Sequence, residues 1–123
     1  MDKAQQLVWD SQLAVCILGK SDASEFELLN VKPVTAPLTE ESVRDMKERG
    51  LEYLGVIGIV DGRPRVALAE PLDADTITVL SDAFVRHTMA VFQDRLRVKP
   101  KSTDAAVQWC RSLFEKPDVR PDA

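Results

Sequence analysis

Apolar positions along this chain change their spacing from segment to segment, and the changes outline its elements. Near the start, Ala4, Leu7, Val8, Ser11, Val15 and Leu18 share the spacing of one helical face, while the run LAVCIL at residues 13–18 suits a buried strand. A helix followed by a strand accommodates both patterns, with Gly19 ending the second element. GKSDASE then reads as a polar loop. FELLNVKPV, punctuated by Pro33 and close to Pro37, reads as extended chain at a sheet edge or in a connection. From Thr39 the pattern turns helical. Thr39 is placed as an N-cap, Glu40 and Glu41 lie in the first turn, and Lys47 and Arg49 lie in the last. Leu38 and Val43 match a hydrophobic staple, and Gly50 suits a left-handed stop. With an apolar face of mainly Val43 and Met46, this helix covers a core without forming one.

YLGVIGIV and RVALA follow, flanking Asp61-Gly62, a pair that tolerates positive φ in a two-residue type I′ turn. These residues predict a β-hairpin. Both strands are apolar at almost every position, so the hairpin is expected to be covered on both faces. Gly55 and Gly58 point to a bend or a close backbone approach. Glu70-Pro71 must leave the sheet because proline donates no hydrogen bond, and Asp73 is placed to cap the next helix. In that helix Ile77, Leu80 and Phe84, joined by Thr76 and Ala83, form the buried stripe. TMAVFQ at 88–93 reads as a short strand. A last helix, opened by Ser102 or Thr103, buries Ala106, Val107, Cys110, Leu113 and Phe114, and residues 117–123 read as a frayed tail.

After residue 38 the expected order is therefore helix, strand, strand, helix, strand, helix. This is an α/β (α+β) sandwich: a small, mostly antiparallel sheet with a β-hairpin, covered by helices. Residues 1–38 are expected to add a helix, a strand and a linker to the module at 39–116, either within the same unit or beside it.

Composition narrows function more than fold. The 123 residues carry 16 Lys and Arg against 20 Asp and Glu, a formal charge of −4, which argues against a general nucleic-acid binder. No apolar run is long enough to span a bilayer, and the first ten residues lack the basic start of a signal peptide. Cys16 and Cys110 stand far apart with neither CxxC nor Cys/His spacing, so they read as buried free thiols of a cytoplasmic protein.

His87 is the only histidine, which excludes a histidine-based triad or a multi-histidine metal site, and it reads as a polar group at a helix end. The glycines match no nucleotide-binding loop. Asp73 and Asp75 resemble a carboxylate pair, but capping explains the first and neither has an identifiable partner. Trp9 and Trp109 lie on apolar faces and read as core. No catalytic residue, cofactor or metal site is expected. A cluster comprising Arg63, Arg65, Arg86, Arg95, Arg97, Lys99 and Lys101 stands out in an acidic chain. Arg63, Arg65 and Arg86 are the candidate surface for an anion or a partner, with a solvated surface as the plainer reading.

One resemblance accompanies these motifs. From Thr39 to Val107 the helix, the strand LGVIGIV, the turn DG, the strand ending VALAEPLD and the helix ADTITVLSDAF resemble, in order, the N-terminal domain of type II secretion ATPases and type IV pilus assembly ATPases. The resemblance implies a non-catalytic module within a larger chain that docks onto a protein partner, such as a membrane-associated secretion or export component. On that view Pro71 ends the β-ladder and Asp73 caps, so AEPLD is a structural break and not a binding motif. Some relatives bind cyclic di-GMP through Arg-Leu-Gly motifs ahead of this region. None occurs in the first 38 residues, and the ATPase phosphate loop is absent, so neither property carries over. The leading expectation is a protein-interaction or regulatory domain. The alternative is a sensor of a small anion such as a cyclic dinucleotide, held by the Arg63, Arg65 and Arg86 region.

Overall fold

The computed structural model describes residues 3–20, 26–32, 40–97 and 99–116. Their elements are α1 (Lys3–Asp10), β1 (Leu13–Lys20), β2 (Phe26–Lys32), α2 (Glu40–Glu48), β3 (Leu51–Val60), β4 (Arg63–Leu68), α3 (Ala74–His87), α4 (Met89–Gln93) and α5 (Thr103–Glu115). The four strands form one antiparallel sheet in the order β2-β1-β3-β4. The expected α+β architecture is the one observed. The extended FELLNVK segment is an edge strand, and the strand read from LAVCIL lies at the sheet's centre, between β2 and β3.

That central position accounts for an apolar run that does not alternate. Leu13, Val15 and Ile17 of β1 join Ile57, Ile59 and Val66 against α3, α4 and α5 on one face. Ala14, Cys16 and Leu18 join Val56 and Leu51 against Leu7, Val8 and Met46 of α1 and α2 on the other. Each face of the strand meets its own core, so polar residues have no place along it. β1 and β3 are hydrogen-bonded neighbours, so strands from both sides of residue 38 share this sheet.

The predicted hairpin forms between β3 and β4, with Val60 opposite Arg63 and the turn at Asp61 (φ 53°) and Gly62 (φ 76°). Both turn residues are in the left-handed region that a type I′ turn requires. In β3, Leu54 is an extra residue where the register against β1 shifts, since Ile17 faces Gly55 and Leu18 faces Tyr53. This is a β-bulge. Gly55 and Gly58 mark close approaches: a Cβ at Gly55 would run into the Ala67 carbonyl, and one at Gly58 into the Ser11 hydroxyl under α1.

Around the helices, Asp73 and Ser102 cap α3 and α5 by accepting from the Thr76 and Ala105 amides at 2.7 and 3.1 Å. Gly50 takes the positive φ expected of a helix stop. The Thr39 cap, the Leu38–Val43 staple, the two prolines after β2 and the tail at 117–123 lie outside the described residues.

One element differs from expectation. Residues 89–93 are a short helix, α4, and not a strand. A strand would have set Met89 and Val91 on one side. The helix instead buries Met89 and Phe92, three apart, and leaves Val91 45% exposed. Phe92 closes onto Phe84 with ring centroids 5.0 Å apart at 78°, and Phe84 meets Phe114 at 6.5 Å and 80°. Edge-to-face contact of three buried rings ties α3, α4 and α5 into one layer.

Candidate functional site

At the hairpin end of the sheet, the strand alternation sorts the basic residues. Val66 and Leu68 belong to the core beneath α3–α5, whereas Ala67 belongs to the core beneath α1. Arg63 and Arg65 share the parity of Ala67 and project on the α1 side. Arg86 instead lies in the last turn of α3, in the helical layer on the opposite face, where its guanidinium pairs with Asp82 one turn back. Such an exposed pair contributes little to stability. The structure thus brings Arg63 and Arg65 together and does not bring Arg86 to them. Arg97 adds a further cation: its amide donates to the Gly62 carbonyl at 3.0 Å, and its side chain lies where a Cβ on Gly62 would stand.

Trp9 is the residue most clearly misplaced by sequence reading. It is 72% exposed, on the outer side of α1, and not in the core. The signal was present in the spacing, because Leu7, Val8 and Ser11 turn inward together and Trp9 falls outside their stripe. Since α1 packs across β3 and β4, the exposed indole lies on the outer side of the helix that covers the sheet face to which Arg63 and Arg65 belong. Trp109, by contrast, is partly buried against the main core as expected.

The β4 edge is poorly available for strand pairing. Ile59 directs its carbonyl to Gln12 beside β1, and Ala69 donates to Leu54, so in β4 the groups of residues 64, 66 and 68 point away from β3. Pro64 has no amide to offer there, and Val66 is only 2% exposed.

The opposite end of the sheet holds a half-open cleft of about 400 Å³. The AEPLD segment, which follows β4 and caps α3 through Asp73, forms one wall, so Pro71 and Asp73 also line a cavity. The Asp73 carboxyl lies below its ordinary range because it accepts hydrogen bonds from Thr76. Phe26, Leu54 and Leu72 supply apolar lining, and Lys47, Glu52 and Glu70 supply charge.

This chain matches no protein-family model, no curated protein and no solved structure.

Burial pushes the thiols of Cys16 and Cys110 up to about 12, which keeps them protonated and poorly nucleophilic. Among the described residues, no three His, Cys, Asp or Glu side chains gather as a metal site, and no helix is long and apolar enough to cross a membrane. His87 is exposed at the end of α3.

Proposed function

We propose that this chain is a non-catalytic protein-interaction or regulatory domain that docks an acidic surface of a protein partner on the α1 side of its hairpin. The observation that carries the reading is the exposed Trp9 on α1, the helix that covers the sheet face to which Arg63 and Arg65 belong by strand parity. Tryptophan and arginine dominate the energetics of protein interfaces: the first offers a large rigid contact area, the second bidentate hydrogen bonding to carboxylates. In a chain of net charge −4, two arginines on one strand face also favour an oppositely charged group of a partner. A cytoplasmic role beside secretion, pilus or polysaccharide-export machinery follows from the family resemblance and belongs to this proposal.

The test is affinity capture from a bacterial lysate with the full chain, beside Trp9→Ala and Arg63→Glu/Arg65→Glu. Each variant should lose the acidic partner seen with the parent chain by at least about tenfold, while its melting temperature stays within a few degrees. Equal capture by all three chains would remove the proposal. Identifying the captured protein by mass spectrometry then decides whether it is a secretion or export component.

A further inference from the structure

We propose that the cleft at the AEPLD end of the sheet is a binding site for a free α-amino acid with an apolar side chain. The site is distinct from the docking face at the hairpin end and does not depend on it. Its cavity of about 400 Å³ lies within the range of small-molecule sites. Phe26, Leu54 and Leu72 line it and also pack on the main core, so its apolar part rests on a rigid support.

Gly19 keeps that part open. Its backbone is ordinary strand, so no unusual dihedral demands glycine, but a Cβ there would stand 3.3 Å from Leu54 and 3.7 Å from Phe26. A side chain at residue 19 would occupy the floor of the cavity. The β-bulge contributes as well, since Leu54 is the extra residue it inserts.

Charge selects the class of ligand. Lys47 of α2 and Lys20 of β1 line the cleft, together with Glu52 of β3 and Glu70 of the AEPLD loop. The Asp73 carboxylate is already committed to the Thr76 amide. A polyanion such as a nucleotide would meet Glu52, Glu70 and Asp73, and a simple cation would meet both lysines. An amino acid has the complementary set: an ammonium for Glu52 and Glu70, a carboxylate for Lys47, and a side chain for the apolar lining.

Titration of the isotope-labelled chain with L-phenylalanine and L-leucine, followed by amide NMR, tests the assignment. Saturable shifts are expected at Gly19, Leu54 and Leu72. Glycine and N-acetyl-phenylalanine amide, which lack the side chain or both charges, should bind at least roughly tenfold more weakly. Lys47→Glu and Glu70→Lys alter exposed side chains and should each weaken binding by a similar factor, whereas Gly19→Leu should abolish it. If Gly19→Leu fails to fold, the two charge variants decide. The proposal is overturned by any of three results: no saturable shift at tens of millimolar amino acid, equal binding of the blocked compound, or shifts confined to another surface. Loss of partner capture in Trp9→Ala bears only on the docking proposal.

Discussion

Truncating Phe92 to alanine tests the part of the fold that departs most from the sequence pattern. Phe92 is fully buried in α4 and meets Phe84 edge to face at 5.0 Å. Removing the ring forfeits its transfer free energy and leaves a cavity that α3 and α5 can close only in part, for a cost of about 3–5 kcal/mol. A chain of this length has a total stability of roughly 6–18 kcal/mol at 0.05–0.15 kcal/mol per residue, so the variant should stay folded but weakened. The Phe84–Phe92 pair should contribute about 0.5–1.5 kcal/mol of coupling beyond burial, measurable in a double-mutant cycle with Phe84→Leu and Phe92→Leu. Val91, 45% exposed on the same helix, is the internal control, and Val91→Ser should change stability by no more than about 0.5 kcal/mol. Urea unfolding followed by circular dichroism gives each value. A strand at 88–93 would put Val91 inward with Met89, so a larger loss for Val91→Ser than for Phe92→Ala would refute the helix and the aromatic layer built on it.

Three further outcomes follow from single sites. Asp73 has a folded pKa below its ordinary 3.8, so its capping contribution is present above that value and is lost as pH falls through the folded pKa; Asp73→Ala should lower the melting temperature at pH 7, and the gap should close under acid. Cys16 and Cys110, with thiols near 12, should resist iodoacetamide at pH 8 in the native protein and react on unfolding, as counted by mass spectrometry. Gly55→Ala and Gly58→Ala should each cost about 1–3 kcal/mol in urea unfolding, Gly55 the more, because its new methyl presses on the Ala67 carbonyl of β4 whereas that of Gly58 meets the Ser11 side chain.

The fold was legible wherever a local signal had one physical cause. Asp61-Gly62 between two apolar runs specified the hairpin, and both residues take positive φ. Asp73 and Ser102 each satisfy an amide at the start of a helix, which the polar residue ahead of an apolar stripe announces. LAVCIL was ambiguous as a string, and what resolves it is long-range: two layers of helix cover a central strand from both sides. TMAVFQ misled for the same reason. A run of five or six residues with a β-branched centre fits both periods, and the choice fell to a contact with Phe84 that lies outside the run.

The candidate sites were less legible because they are made by juxtaposition. Arg63, Arg65 and Arg86 look alike in composition, yet strand parity and the placement of α3 put them on opposite faces. Trp9 reads as core by residue type and as surface by helical phase, and the phase decides because an eight-residue helix on a sheet has only one inward stripe. AEPLD carries two roles that no local pattern separates. Proline follows β4 and aspartate caps α3, and the bend they create becomes the wall of a cleft whose other lining comes from β1, β2, α2 and β3. A substitution there acts on folding and on the cavity together, so Asp73→Ala cannot by itself distinguish them. Gly19 and Lys47 can, since neither takes part in the AEPLD turn and both line the same space.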